Sequence, residues 1–223
     1  FCRGFLHFMA TNIIGDTEWN GLPMPRRLGA IVAVAFGVSL SVIDSVIANV
    51  ALPTLAAEFG TSSANSVWIV NAYQLALITT LLIFSNLGDI LGYRRIYISG
   101  LVLFTVASAG CALSTTFASL IAWRAVQGIG AAAITSVNTT LIRIIYPRRM
   151  LARGMGINVT VVAVSSVAGP SVAAAILSVT TWHWLFAVNL PVGLIAFTLS
   201  SRFLPQNPVK VEGRRFDWRS GVM

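Results

Sequence analysis

Residues 28–50 read LGAIVAVAFGVSLSVIDSVIANV, and this stretch decides the fold class. Asp44 is its only charged residue and no proline interrupts it. As an α-helix it would extend about 34 Å at 1.5 Å per residue, enough to cross about 30 Å of hydrocarbon. Five further apolar runs follow, at Val67–Leu87, Ile96–Leu113, Leu120–Leu141, Met155–Val179 and Trp184–Leu204. They are continuously apolar and lack the ten-residue alternation of barrel strands, which makes them helices. The expectation is an all-α membrane protein. A six-helix transmembrane bundle over 28–204 follows an amino-terminal segment, 1–27, and precedes a tail, 205–223.

Composition agrees. Of 223 residues, 56% are apolar and 10% charged, with a mean hydropathy of +0.81. A soluble domain carries about 25% charged residues. Cys2 and Cys111 cannot build a disulfide framework, and His7 and His183 cannot build a histidine metal site. Lys210 is the single lysine and no glycine precedes it, so a phosphate-cradling loop is absent. No serine–histidine–aspartate set can be assembled. We therefore expect no enzyme activity, no cofactor and no metal. Gly128-Ile-Gly130-Ala-Ala-Ala133 matches a dinucleotide fingerprint in letters only, because it lies inside an apolar run with no strand before it. Small residues there let helices approach closely.

The net charge of +8 is not a nucleic-acid footprint. Arg26 and Arg27 precede the first span, Arg94 and Arg95 follow the second, and Arg143, Arg148, Arg149 and Arg153 surround the fourth break. Arg202, Lys210, Arg214, Arg215 and Arg219 lie in or near the tail. The alternate breaks, around Pro53–Ser66, Ser114–Ser119 and Thr180–His183, hold no lysine or arginine. This positive-inside pattern places both termini in the cytoplasm, with the loop arginines anchoring lipid. Trp68, Trp182 and Trp184 then form an aromatic belt at the outer interface.

Two ionisable residues lie well inside spans, Asp44 and Arg124. Facing lipid near the centre, each would cost roughly 2.5–3.5 kcal/mol. Such groups usually face a bundle interior and mark an ion or substrate path, although a long arginine can also snorkel. Asp44 lies six residues before Val50 and Arg124 four residues after Leu120. That puts them about 9 and 6 Å below the same membrane edge on antiparallel helices. We expect them to interact directly or through water, with protonation of Asp44 loosening the pair. Asn49, Asn71 with Gln74, and Gln127 extend the candidate polar pathway, each amide being equally suited to join helices. A second candidate is the short turn Asp89-Ile-Leu-Gly92-Tyr-Arg94-Arg95, where Gly92 allows reversal and Asp89 can cap the next helix or pair with an arginine. A third is Gly169-Pro170, expected to kink the fifth helix.

These residues together resemble the amino-terminal half of a major facilitator superfamily transporter, of the fourteen-helix drug:proton antiporter type that includes QacA-like and EmrB-like exporters. Asp44-Ser-Val-Ile-Ala-Asn49-Val-Ala-Leu-Pro53 resembles that group's first-helix motif, with Val46 in place of threonine. Ser85–Arg95 resembles the signature loop, with Ser85, Ile90 and Tyr93 departing from it. Trp123-Arg124-Ala-Val-Gln127-Gly128-Ile-Gly130 matches the fourth-helix motif, whose arginine the family links to proton coupling. Gly156, Gly169 and Pro170 match the antiporter motif, with Ser165, Ala173 and Ala174 standing where glycines are usual. Trp182-His-Trp-Leu-Phe-Ala-Val-Asn189-Leu-Pro191 resembles the sixth-helix opening.

The resemblance implies two inverted three-helix repeats and export of a small, often cationic or amphiphilic, compound in exchange for protons across a bacterial-type inner membrane. It also implies a partner, a carboxy-terminal helix bundle beyond Met223. A metabolite transporter of the same fold and a half-size membrane protein that does not transport remain the alternatives. Cysteines placed at Ser63 and Ser114 should react with an impermeant reagent from outside, and one at Arg148 only from inside. Labelling at Ser63 only after permeabilisation would reverse the topology.

Overall fold

The computed structural model describes residues 21–205, so most of the expected flanking segments, 1–20 and 206–223, lie outside the described residues. Six helices are long and apolar enough to span a membrane. Their main helices are α1 (Met24–Glu58), α2 (Trp68–Leu91), α3 (Tyr93–Ala112), α4 (Phe117–Ile145), α5 (Leu151–Val179) and α6 (Asn189–Phe203), the sixth reaching spanning length as His183–Phe203 with the turn before it. One-turn helices, Ser63–Ser66 and His183–Ala187, lead into α2 and α6. There is no strand among the described residues.

Local chemistry sets the ends. Pro25 sits in the first turn of α1, where its missing N–H is harmless. α1 therefore starts before Leu28, and it continues beyond Val50 through Pro53, burying Ala51, Leu55 and Ala56. Hydropathy alone stops at Val50 because the extension is amphipathic. Thr116 and Ser119 cap α4 reciprocally, each side chain accepting the other's backbone N–H at 3.2 and 3.4 Å. α2 and α3 share Gly92 as their joint, at φ +102° and ψ 133°. A side chain would be strained there, which explains the glycine in so short a turn.

Packing follows the expected repeat. α4 packs against α2 and α3, and α1 packs against α5 and α6. α1 touches α4, and α3 touches α6. Exchanging α1–α3 with α4–α6 maps these contacts onto themselves. Three crossings per repeat make the two copies antiparallel, so the repeats are inverted. Close approach depends on the glycines dismissed as a dinucleotide motif. A Cβ on Gly128 would lie 2.3 Å from the Tyr73 carbonyl oxygen, and one on Gly130 would lie 2.7 Å from the Phe104 nitrogen. α4 is thus wedged between α2 and α3 with its backbone in contact on both sides.

Two sequence expectations change. Trp182 is buried rather than at an interface: its ring lies 5.5 Å from Phe59 and 6.4 Å from Phe186, while Trp68 and Trp184 are exposed. Ser114 is also buried, its hydroxyl donating to the Gly110 carbonyl at 2.8 Å, so exposed Thr115 is the better labelling position.

Overpacking a tight core costs about 1–3 kcal/mol, and a collision with backbone relaxes poorly. Gly128→Leu should therefore lower the melting temperature markedly or prevent folding. Gly156→Leu, where a Cβ meets nothing within 4 Å, should not. Equal melting temperatures for both variants would contradict the wedge.

Candidate functional site

Five of the six spans meet at one buried polar layer. Asp44 comes from α1, Ser108 from α3, Arg124 and Gln127 from α4, and Asn189 opens α6. α2 contributes the Ile69 carbonyl and the Tyr73 ring. Along α1, α3 and α4 this layer separates two apolar clusters, one including Leu40, Phe104 and Ala131, the other Ile47, Cys111 and Leu120. Helical periodicity places Asp44, Ser108 and Gln127 on inward faces, and the glycine wedge brings α4 close enough for their side chains to meet.

The centre is an ion pair. Arg124 Nη1 donates to Asp44 Oδ2 at 2.5 Å, with both side chains at 0% exposure. The same Nη1 donates to Gln127 Oε1 at 2.7 Å, and Arg124 Nε to the Ile69 carbonyl at 3.3 Å. The other carboxylate oxygen, Asp44 Oδ1, accepts from Gln127 Nε2 at 3.0 Å and Asn189 Nδ2 at 2.6 Å. Ser108 Oγ accepts from the same two amides, at 2.7 and 3.4 Å. The Arg124 guanidinium stacks 4.4 Å over the Tyr73 ring, and Tyr73 donates its hydroxyl to the Ser41 carbonyl at 3.3 Å. A carboxylate only accepts and a guanidinium only donates, so both amide orientations are forced by their partners. Within the ion pair itself, Arg124 Nη2 is left without a hydrogen-bond partner among the described residues. Both oxygens of the ionised Asp44 are satisfied, and a proton added to it would put an O–H where only donors converge.

The remaining candidates fall elsewhere. Asn49 is exposed and donates back to the Ser45 carbonyl at 2.9 Å. Asn71 and Gln74 are exposed on α2, away from the face that carries Tyr73. At the α2–α3 turn, the Tyr93 hydroxyl donates to Asp89 at 2.6 Å, no side chain caps α3, and Arg95 is exposed. Arg94 donates through Nη2 to the Ser201 carbonyl near the end of α6. Gly169 lies against Val46 of α1, where a Cβ would come within 2.7 Å, and Pro170 is exposed inside α5. Sequence reasoning did not single out Ser108 or Asn189 for the site. Asn189 had a usable signal, a lone amide inside a span, whereas a serine such as Ser108 is unremarkable in a membrane helix.

Comparison with known proteins places the fold in a family. A sequence profile of the Major Facilitator Superfamily matches residues 34–220, and the chain belongs to that superfamily. It is 55% identical to the uncharacterized transporter YebQ of Escherichia coli, over 92% of this chain and 45% of that protein. It is 31% identical to the riboflavin transporter RibZ of Clostridioides difficile, covering 87% and 42% of the two chains. With Multidrug resistance protein 3 of Bacillus subtilis it shares 28% identity, over 86% and 37%. The chain therefore spans less than half the length of these curated relatives. Among solved structures, the fold matches a D-xylose-proton symporter at TM-score 0.66 and 15% identity, over 81% of this chain and 49% of that one. A bacterial homolog of the lysosomal transporter Spinster, inward-facing and unoccupied, matches at 0.65 and 18% identity, over 86% and 47%.

Removing one partner of a buried ion pair typically costs about 3–5 kcal/mol, because the other charge is left uncompensated. Asp44→Asn and Arg124→Gln should each lower the melting temperature of the purified protein. The double variant should lose less than the two single losses added together. Strict additivity would mean that the two charges are independent.

Proposed function

We propose that this bundle is the amino-terminal half of a proton-coupled exporter of small amphiphilic compounds in a bacterial inner membrane. Both of its ends face the cytoplasm and a second helix bundle completes the transport path. The observation that carries this reading is the pair Asp44–Arg124, 2.5 Å apart and fully buried. Asp44 is the group that takes the proton. Ionised, it is held by Arg124, Gln127 and Asn189; neutral, it no longer offsets the arginine's charge. The pair then loosens and α1 is freed from α4. One proton thereby selects between two arrangements of the repeats, as alternating access requires.

The other clusters take mechanical roles in this scheme. Arg94, tied to the Ser201 carbonyl, latches the α2–α3 turn to the end of α6, while Asp89, tied to Tyr93, braces the turn itself. Gly92 is the joint of that latch, and Arg95 faces water or lipid headgroups beside it. The close contact of Gly169 with Val46 holds α5 against α1 beside Pro170, so that the two helices move together. Asn49, Asn71 and Gln74, exposed on the bundle, supply polar surface for the substrate path towards the second bundle.

Drug export is favoured by relatives whose names include multidrug resistance proteins. The riboflavin transporter among them supports the second reading, a metabolite transporter of the same fold.

The test uses the complete transporter in vesicles with an imposed pH gradient and a fluorescent drug. Asp44→Asn should abolish gradient-driven accumulation, while Asp89→Asn should slow transport and leave it coupled. Gradient-driven accumulation by Asp44→Asn at the native rate would exclude Asp44 as the proton carrier.

A further inference from the structure

α5 and α6 both pack on α1 and barely touch one another. Between them lies a cavity of about 390 Å³, floored by α1 from Ala35 to Ile43 and walled by Val161 of α5 and Val192 of α6. Its volume falls in the range of about 300–1,000 Å³ found for small-molecule sites. The lining is almost wholly apolar, and the two residues that break it are Ser39 and Asn189.

Asn189 is 2% exposed. Its amide nitrogen is committed to Asp44 Oδ1 and Ser108 Oγ, at 2.6 and 3.4 Å. A carboxylate cannot donate, so the nitrogen must face Asp44 and the amide oxygen is the edge left for the cavity. No donor among the described residues reaches that oxygen. Ser39 and Ser165 share a single hydrogen bond at 3.0 Å, so one hydroxyl proton of that pair also remains to be donated. The cavity thus offers one free acceptor and one free donor within an apolar shell. It offers no charge, because no acid or base lines it and Asp44, behind Asn189, is already neutralised by Arg124.

We propose that this cavity binds an uncharged, mainly apolar small molecule that carries a hydroxyl or amide group. That group donates to Asn189 Oδ1, and the Ser39–Ser165 pair donates to an acceptor on the same molecule. A cation, one of the two classes the family resemblance suggests, finds no counter-charge here. Occupancy acts on the ion pair through a single side chain, since the amide that holds the ligand also holds Asp44.

Binding is measured on the complete purified transporter at equilibrium without a pH gradient, so its failure is distinct from a failure of proton coupling. The probes are 2-naphthol, naphthalene, which has the same rings without the hydroxyl, and tetraphenylphosphonium. We expect saturable 2-naphthol binding, about tenfold tighter than naphthalene for one buried hydrogen-bonding group. Tetraphenylphosphonium should not compete. Val161→Trp should fill the cavity and remove saturable binding. Ser39→Ala, a small change outside the ion-pair layer, should weaken 2-naphthol severalfold and leave naphthalene unchanged. Non-saturable 2-naphthol uptake, equal affinity for the two ring compounds, competition by tetraphenylphosphonium, or unchanged binding in Val161→Trp would each overturn the proposal. So would a tightly held phospholipid that Val161→Trp releases while 2-naphthol binding persists.

Discussion

A carboxylate and a guanidinium, both withdrawn completely from solvent and 2.5 Å apart, are the constraint on which the rest of the structure depends. Either charge alone inside the bilayer would be unfavourable by roughly 2.5–3.5 kcal/mol. Together they are tolerated only if the remaining lone pairs and protons are also satisfied. Gln127, Asn189, Ser108 and the Ile69 carbonyl meet that demand for all but Arg124 Nη2, and they come from α4, α6, α3 and α2. Satisfying one ion pair therefore fixes the relative depth of five spans. The apolar clusters on either side of the layer supply contact area, but aliphatic packing alone leaves helix register loosely defined.

The pair also joins the two inverted repeats, since Asp44 and Arg124 lie on the first helix of each. α1 and α4 are the most buried helices together, and their pseudo-equivalents' partners, α2 and α5, are the most exposed. Movement of α1 against α4 would change the shape of the whole bundle while the pairs α2–α4 and α1–α5 travel as units. The backbone contact at Gly128 keeps α2 and α4 together in such a motion, and the Gly169–Val46 contact does the same for α5 and α1. This gives the proposed proton switch a mechanical consequence without requiring any helix to unfold.

Much of this was legible in the sequence. Six apolar runs, the alternation of arginine-rich and arginine-free breaks, and a resemblance carried by motifs in order gave the superfamily and the bundle. The depth of Asp44 and Arg124 from their span ends brought them to one level, and the structure puts them in contact. Hydropathy could not say where α1 ends, because beyond Val50 it becomes amphipathic. Spacing could not tell inward amides from outward ones: Gln127 joins the ion pair, while Asn71 and Gln74 point away from it. Trp182 was misplaced for a related reason, since an aromatic residue near a span end can pack inside the bundle as readily as at the interface. Ser108 became legible only once α3 was seen against α4.

The central claim is that Asp44 gains and loses a proton while buried against Arg124. Infrared difference spectroscopy of the complete purified transporter tests this directly, because a protonated carboxyl group has a carbonyl stretch that an ionised one lacks. Acidification should produce such a band, substrate binding should change its intensity, and Asp44→Asn should eliminate it. A carboxylate at Asp44 that stays ionised throughout the pH range in which transport is proton-driven would contradict the account.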